Sequence, residues 1–219
     1  MDRPRVGIVV PALNESATIL RIVEAVRAYG MPIVVDDGST DATAELAMSG
    51  GAIVVSHEKN RGYDAALNSG FKKAVEMGSE IIITVDADGQ HDPSLLQKFI
   101  DKIDAGTDVV VGIRSRRQRF AEHLFAWYTN LLYGIKDPLC GMKAYRTVVY
   151  EALGHFDSYG SIGTELAIFA AKKGCRLGQI PFAVRERKDQ PRFGRILVGN
   201  YKIIRAILLS IWRAKRAAT

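Results

Sequence analysis

The stretch IIITVDADGQHDP, residues 81–93, decides how the chain is expected to fold. Its first five residues are apolar or β-branched, which predicts a short buried strand. Asp92 followed by Pro93 is typical of a helix start, with the aspartate as N-cap and the proline at the first helical position. Asp86 and Asp88 lie between the two, and residues spaced by two point to one side of an extended chain.

The first half of the chain repeats this alternation of apolar strand and amphipathic helix. The predicted strands are residues 6–10, 33–35, 53–55, 81–85 and 109–111, and the predicted helices are 17–29, 42–48, 63–77 and 94–105. Strands this apolar indicate an α/β fold whose mostly parallel sheet is flanked by helices on both faces. Ligands of such sheets bind at the carboxyl ends of the strands, where Asp86 and Asp88 lie.

Charge is distributed unevenly between the two halves of the chain. Residues 1–112 carry 10 Lys/Arg and 17 Asp/Glu, a net of −7, whereas residues 113–219 carry 20 and 7, a net of +13, which together give the +6 of the whole chain. Such a basic half suggests an anionic partner, and nucleic acid, phospholipid head groups and phosphorylated substrates are all candidates.

The composition points to a reducing compartment. The two cysteines, Cys140 and Cys175, do not suggest a disulfide framework. The N-terminal residues contain no apolar signal-peptide core, and the best apolar run, residues 203–212, is short and interrupted by Arg205. We therefore expect a cytoplasmic protein. The segment after the first strand, PALNE at 11–15, lacks the Gly-x-Gly-x-x-Gly turn of NAD and FAD enzymes, which counts against that class.

Acidic residues follow the second and the fourth predicted strands. Asp36 and Asp37 open the segment DDGSTD, and their carboxylates could accept hydrogen bonds from a nucleobase or a ribose. A turn with a helix cap would explain the rest of this segment equally well. Asp86 and Asp88 would repel each other unless a cation lay between them, and Mg²⁺ or Mn²⁺ suits such a site because these ions also bind substrate phosphates. An acidic turn is the alternative, but the position after a buried strand favours a metal site.

Four motifs occur together in this order: PALNE, VDDGSTD, NRG and DADGQH, which begin at Pro11, Val35, Asn60 and Asp86. As a set they resemble family 2 glycosyltransferases of the GT-A fold, and among these the dolichyl- or polyprenyl-phosphate sugar synthases. The resemblance implies a Rossmann-like sheet, a nucleoside-diphosphate sugar donor of the UDP or GDP type, and a divalent metal ion.

The resemblance also suggests a division of the chain. We predict a single GT-A domain over residues 1–194, with a half that binds the nucleotide sugar at 1–112 and an acceptor half at 113–194. Residues 195–219 would form a basic, amphipathic C-terminal helix.

The resemblance implies roles for residues at the strand ends. Asp86 and Asp88 would hold the metal ion and the donor diphosphate with Gln90 near the ion, and Asp37 would contact the base. Arg114 lies at the position of a donor contact and is assigned to catalysis with Asp88. The implied donor-binding residues are Pro11, Leu13, Glu15, Asp36, Asp37, Asn60, Asp86, Ala87, Asp88 and Arg114.

The implied acceptor contacts lie in the basic half. The loop DPLCGMK, which ends at Lys143, resembles the acceptor loop of the family, with Cys140 in place of the usual serine and Met142 in place of an aromatic residue. The segment PFAVRER resembles the one that carries an acceptor-phosphate arginine, which is Arg187 here. Arg192 could complete a phosphate clamp, although these cations could also belong to a solvated loop.

Glu165 lies where family members place an acidic residue near the acceptor. It would be the general base for a hydroxyl acceptor, whereas a phosphate, with a second pKa of about 6, is already ionised at neutral pH and needs no base. A glutamate on the helix surface, or one that caps the helix, is the structural alternative.

The C-terminal segment predicts a long amphipathic helix. At about 100° per residue its cations share one arc, with apolar side chains opposite and Tyr201 and Trp212 at the border. A helix of this kind either lies on anionic lipid or packs on the domain, and both interpretations stay open. The first would give a peripheral contact with the inner face of the membrane.

The leading hypothesis is therefore a metal-dependent, inverting hexosyltransferase that moves a sugar to a polyprenyl phosphate at the cytoplasmic membrane face. A second version transfers the sugar to a hydroxyl of a glycan or small molecule. A basic nucleic-acid-binding module is the rival from another class, but it would leave Asp86 and Asp88 unexplained and the sequence has none of the usual signatures. We therefore expect no nucleic-acid partner. A nucleotidyltransferase would be expected to show a glycine-rich loop after the first strand.

Overall fold

The computed structural model describes residues 5–89, 91–117, 119–184 and 196–216, with side chains in the last segment at 199–212. The strands are β1 Val6–Ala12, β2 Met31–Asp36, β3 Ile53–Ser56, β4 Ile81–Thr84, β5 Val109–Arg114, β6 Lys143–Arg146 and β7 Leu177–Phe182. The helices are α1 Ile19–Val26, α2 Thr43–Ser49, α3 Tyr63–Glu76, α4 Leu95–Asp104, α5 Phe120–Tyr133, α6 Thr147–Leu153, α7 Glu165–Lys172 and α8 Ile196–Arg216.

The seven strands form one sheet in the order β3-β2-β1-β4-β6-β5-β7. Every pairing is parallel except those of β6, which is antiparallel to both of its neighbours. The predicted Rossmann-like, mostly parallel α/β sheet is therefore confirmed, and it contains strands from both halves of the chain. From β1 the chain adds β2 and β3 on one side of the sheet and then β4 on the other side, so the strand order reverses at β1. A reversal of this kind leaves a crevice at the carboxyl ends of the strands.

Helices cover both faces of the sheet because the strand side chains alternate between two apolar clusters. Ile8 and Val10 belong to a buried cluster with α1 and α4, and Val9 belongs to a second cluster with α3 and α7. Strand β1 continues through Pro11 to Ala12, beyond the expected end. Its pairing with β4 stops at Val9, so the missing N–H of the proline breaks no bond on that side.

Helix α8 packs on α5 rather than on the sheet. Ile203, Ala206 and Ile207 form a third buried cluster with Ala121 and Phe125 of α5. One face of the C-terminal helix is therefore a packing face. Over the described residues, no helix combines the length and the apolar character needed to cross a membrane.

A mid-helix glycine sets the distance between α3 and the sheet. A Cβ added at Gly70 would collide with a γ-methyl group of Val9. Gly70→Ala should therefore lower the free energy of unfolding by about 1–3 kcal/mol through overpacking, although alanine favours a helix by about 1 kcal/mol over glycine. Urea unfolding measures the change. The loss should be smaller in a Val9→Ala background, and an equal loss in both backgrounds would contradict this explanation.

Candidate active site

A cavity of about 500 Å³ lies at the carboxyl ends of β1, β2 and β4. It brings together ten residues that the sequence singled out: Pro11, Leu13, Glu15, Asp37, Asn60, Asp86, Ala87, Asp88, Arg114 and Lys143. Asp36 and Glu165 are not among the described residues that line it. Gln90, Arg187 and Arg192 lie outside the described residues.

The carboxylate of Asp86 follows β4 and is positioned from two sides. The hydroxyl of Tyr63, on the first turn of α3, donates a hydrogen bond to its Oδ1 at 3.2 Å. On the other side the carboxylate lies against the backbone of Gly141, where any Cβ would collide with it. Residue 141 must therefore be a glycine for Asp86 to keep this orientation.

Asp86 and Asp88 both line the cavity and are both partly exposed. Among the described residues there is no cluster of three His, Cys, Asp or Glu side chains placed to hold a metal ion. Two carboxylates are nevertheless enough for Mg²⁺, because this ion commonly takes one or two from the protein and the rest of its oxygens from water and substrate phosphates. The pair therefore fits a hard divalent ion that is bound together with a phosphorylated ligand.

The two aspartates that follow β2 have different surroundings. Asp36 accepts the N–H of Ser39 at 3.1 Å and so closes the turn. Asp37 lines the cavity, and its carboxylate accepts the N–H groups of Arg61 at 2.9 Å and Gly62 at 2.8 Å, with His57 Nδ1 at 2.6 Å. The turn interpretation thus describes the position of Asp36, while Asp37 ties the loop before α3 to the cavity edge.

Arg114 ends β5 and is fixed by two acids. Its Nε and Nη2 each bond an oxygen of Asp137 at 2.9 Å, and Nη2 also lies 3.3 Å from Glu122 Oε2. Burial alone would lower the pKa of Arg114, but the hydrogen bonds and charge of Asp137 raise it further than burial lowers it. The guanidinium is therefore a permanently charged group with a fixed plane at the cavity wall.

The loop DPLCGMK, residues 137–143, contributes buried rather than exposed side chains to the site. Lys143 is buried, and its Nζ donates a hydrogen bond to the carbonyl of Gly163 at 2.8 Å. Cys140 is fully buried, and burial raises its pKa to about 12, so it behaves as a small buried apolar residue. Met142 is also fully buried in the core, which explains why an apolar side chain without a ring is accommodated there.

The loop at 157–163 forms a further wall of the cavity at Ile162. Asp64, on the first turn of α3, accepts the N–H groups of Ile162 at 3.3 Å and Gly163 at 2.7 Å. These bonds hold Ile162 at a φ of 59°, a left-handed conformation that is strained for a β-branched residue. The loop is therefore fixed by the helix that also carries Tyr63.

Glu165 begins α7 with its carboxylate engaged in the same loop. It accepts the N–H of Ser158 at 2.5 Å and the hydroxyl of Ser158 at 2.9 Å, and His155 Nε2 lies 3.2 Å away. The carboxylate is therefore bonded to the segment before α7 and does not line the cavity among the described residues.

Part of the cavity wall was missed by the sequence analysis. Arg119 and Glu122 reach the cavity from the start of α5, and Lys202 and Ile203 reach it from α8. Arg119 belongs to a run of arginines and Lys202 to the basic arc of the last helix. Charge alone could not show which of many cations turns towards a cavity, so only the packing of α8 on α5 reveals them.

Fold, cavity and paired aspartates are typical of α/β enzymes that bind their ligands at the carboxyl ends of the strands, and similarity to known proteins narrows the class. Residues 7–154 match glycosyl transferase family 2. The chain belongs to this family and is a family 2 glycosyltransferase.

Two curated relatives cover most of the chain. A UDP-N-acetylglucosamine–dolichyl-phosphate N-acetylglucosaminyltransferase of Methanococcus voltae is 27% identical, over 92% of this chain and 94% of its own. A polyprenol monophosphomannose synthase of Mycolicibacterium smegmatis is 31% identical, over 84% of this chain and 78% of its own.

Solved structures of a more distant protein share the fold. A glucosyl-3-phosphoglycerate synthase of Mycobacterium tuberculosis, in complex with phosphoglyceric acid, has a TM-score of 0.76 at 23% identity, over 94% of this chain and 79% of its own. The same synthase with Mn²⁺, UDP-glucose and phosphoglyceric acid has a TM-score of 0.72 at 20% identity over the same shares.

Asp64 should make the stability of the protein depend on pH. Burial and the nearby charge of Asp157 raise the pKa of Asp64 from 3.8 to about 6. Because the folded state then binds the proton more tightly than the unfolded state, the free energy of unfolding falls as the pH rises from about 4 to about 6 and is constant above that. Asp64→Asn removes this pH-dependent contribution of the carboxyl group. Relative to the parent, the free energy of unfolding of the variant should therefore rise by roughly 3 kcal/mol from acid to neutral pH.

Urea unfolding over this pH range measures the difference. The exposed substitution Asp104→Asn is the control and should leave the pH dependence unchanged. A difference between parent and Asp64→Asn that does not vary with pH would contradict the raised pKa of Asp64.

Proposed function

We propose that the protein is an inverting, metal-dependent glycosyltransferase that moves a sugar from a nucleoside-diphosphate sugar to a polyprenyl phosphate. One observation carries the proposal: Asp86 and Asp88 line the same cavity as Asp37, Pro11 and Leu13, at the switch point of the sheet. A nucleotide at β1 and β2 would therefore have its diphosphate within reach of the paired carboxylates.

On the donor side, Pro11, Leu13, Glu15 and Asn60 would line the nucleotide pocket and Asp37 would accept a hydrogen bond from the base. Asp37 Oδ2 accepts one N–H, and a carboxylate oxygen has two acceptor positions, so it retains capacity for a ligand. Asp36 would act indirectly by shaping the turn.

Asp86 and Asp88, with Ala87 between them and Gln90 beyond, would hold Mg²⁺ or Mn²⁺ on the donor diphosphate. When bound, such an ion supplies positive charge that neutralises the departing nucleoside diphosphate. Structures of the fold relative named above contain Mn²⁺ with UDP-glucose, which supports this choice of ion and donor.

Arg114 would stabilise the same leaving group. The three bonds to Asp137 and Glu122 use Nε and Nη2, so the Nη1 end takes part in none of them. A charged donor whose orientation is already fixed needs no reorganisation when negative charge develops on the diphosphate.

In the proposed reaction an oxygen of the acceptor phosphate attacks the anomeric carbon from the side opposite the diphosphate. The new bond joins that oxygen to the sugar, the bond between the sugar and the donor diphosphate breaks, and the nucleoside diphosphate leaves with the electron pair. An ionised phosphate needs no general base. The engagement of Glu165 with Ser158 and His155 favours this acceptor over a hydroxyl, for which Glu165 would have to be the base.

The acceptor phosphate would be met by cations at the cavity wall. Arg119 and Lys202 line the cavity beside the apolar side chains of Leu139, Ile162 and Ile203, an arrangement suited to a phosphate attached to a hydrocarbon chain. Lys143 would contribute positive charge at the cavity wall. Arg187 and Arg192 are the further acceptor contacts that the sequence implies. The names of the two curated relatives, which specify dolichyl phosphate and a polyprenol, support the same acceptor class.

A water-soluble donor and a lipid acceptor meet only at a membrane surface. We therefore propose that the protein works there in peripheral contact, at the cytoplasmic face, with residues 1–112 and 113–194 as the donor and acceptor parts of one domain.

The donor and the metal site can be tested by thermal unfolding. UDP or GDP with Mn²⁺ should raise the melting temperature of the parent, because a ligand at about 100 times its Kd adds close to 3 kcal/mol to the native state. Asp88→Asn should lose the part of this shift that depends on Mn²⁺, together with metal-dependent release of nucleoside diphosphate. The exposed Asp104→Asn is the matched control. A metal-dependent shift that persists in Asp88→Asn would refute the metal assignment.

The acceptor site can be tested by steady-state kinetics with a short, water-soluble prenyl phosphate. Arg119→Gln and Lys202→Gln should each raise the acceptor KM about 10- to 100-fold, the equivalent of a charge-assisted hydrogen bond of about 1.5–3 kcal/mol, with the donor KM little changed. Lys98→Gln, an exposed change on α4, should have no effect. Equal effects on donor and acceptor would contradict the assignment, and faster transfer to phosphoglycerate or to a sugar hydroxyl would replace the acceptor class.

A further inference from the structure

Exposed apolar side chains are concentrated on two helices. Twelve large apolar residues are exposed among the described residues, and nine of them belong to α5 or α8. Eight of these form what we call the α5–α8 surface: Phe120, Leu124, Trp127, Leu131, Tyr201, Ile204, Leu208 and Trp212. Phe120, at 80% exposure, Leu131, at 66%, and Leu208, at 62%, show that the part of the chain that the structure describes does not cover these side chains. A monomeric protein rarely exposes so many adjacent apolar groups without a partner.

On each of the two helices the exposed apolar residues form one stripe. On α5 the spacing of Phe120, Leu124, Trp127 and Leu131 follows one face of a helix, and Glu122, which lines the cavity, lies at a quite different angle. On α8 the exposed Tyr201, Ile204, Leu208 and Trp212 likewise follow one face, and the cavity-lining Ile203 lies on the opposite face. The two helices pack against each other through Ala121, Phe125, Ile203, Ala206 and Ile207, and each stripe lies off this packing face and is exposed.

The charge around the α5–α8 surface identifies its partner. The sequence of α8, Ile196–Arg216, contains five Lys/Arg and no Asp/Glu. Between residues 115 and 136 the one acid is Glu122, which is buried and lies 3.3 Å from Arg114 and from Arg119. A second copy of the chain would bring these cations against each other. A bilayer with anionic head groups matches both the cations and the apolar stripes, and Trp127, Trp212 and Tyr201 are side chains that favour the membrane interface.

We propose that the α5–α8 surface docks on an anionic lipid bilayer, with its apolar side chains inserted at the level of the head groups. Arg119, at the start of α5, and Lys202, on α8, line the cavity, so docking of these helices would bring the cavity to the lipid. The role of this docking in sugar transfer rests on the proposed function. A phosphate head group in the docked bilayer would meet these cations while its hydrocarbon chain stays in the lipid. The docking itself requires no turnover.

The two tryptophans of the chain make a direct test possible, since both, Trp127 and Trp212, belong to the α5–α8 surface. Tryptophan fluorescence should shift to shorter wavelength when vesicles of phosphatidylcholine and phosphatidylglycerol are added, and brominated lipids should quench it. Vesicles of phosphatidylcholine alone, or added salt, should weaken binding about tenfold or more. Trp127→Phe and Trp212→Phe should each retain a shift, because one tryptophan lies on each helix. No shift with anionic vesicles in either variant would overturn the proposal.

Substitutions with a matched control separate docking from folding. Leu131→Ser combined with Leu208→Ser should weaken vesicle binding about tenfold or more, with thermal unfolding little changed because both side chains are exposed. Met48→Ser combined with Val148→Ser removes two exposed apolar side chains that lie elsewhere and should leave binding unchanged. Equal binding by the two double variants would refute the α5–α8 surface as the docking site. A stable dimer in sedimentation equilibrium that Leu131→Ser abolishes would replace the bilayer by a second copy.

Activity distinguishes this inference from the proposed function. The Leu131→Ser, Leu208→Ser variant should transfer sugar normally to a water-soluble prenyl phosphate and about tenfold or more slowly to a polyprenyl phosphate embedded in vesicles. If the parent binds vesicles but transfers sugar to neither acceptor, the proposed function fails and the docking stands. If the variant transfers equally well to both, the docking proposal fails and the function stands.

Discussion

The contact between the carboxylate of Asp86 and the backbone of Gly141 is the constraint on which the cavity depends. Asp86 follows the central strand β4, and Gly141 lies two residues before the antiparallel strand β6, which pairs with β4. The sheet therefore joins the acidic first half of the chain to the basic second half at this point. Any side chain at position 141 would displace the carboxylate of Asp86. The orientation of this residue of the first half therefore depends on a glycine in the second half.

The buried charged groups around this contact are each hydrogen-bonded. Asp137 and Glu122 hold Arg114, the carbonyl of Gly163 accepts from Lys143, and loop amides satisfy Asp64. A charge in a poorly solvated site is tolerated when it is paired or hydrogen-bonded, and its orientation is then fixed as well. These fixed charged groups make the cavity wall polar on the side of the strand ends. Leu139, Ile162 and Ile203 make the wall apolar on the side of α5 and α8.

Much of the fold could be predicted because hydrophobic periodicity is local. The strands at 33–35 and 109–111 and the helix over 63–77 were recognised from spacing alone, and the parallel sheet followed from their apolar character. The direction of β6 could not be predicted, since a four-residue strand after an irregular loop carries no signal of its pairing. For DDGSTD the sequence left a turn and a ligand contact open. The structure places Asp36 in the turn and Asp37 at the cavity because adjacent residues point in opposite directions.

By itself the sequence determined the α/β class, the family and the cavity residues at the ends of β1, β2 and β4. These follow from short motifs at the strand ends, because the carboxyl ends of parallel strands meet at one edge of the sheet. Only the tertiary structure decided that Arg119 and Lys202 face the cavity, that Glu165 is engaged in its own loop, and that α8 packs on α5. The physical reason is that a helix with several cations and several apolar residues can be oriented in more than one way. The choice between these orientations is made by contacts between residues that lie 82 and 78 positions apart in the chain, Ile203 with Ala121 and Ile203 with Phe125.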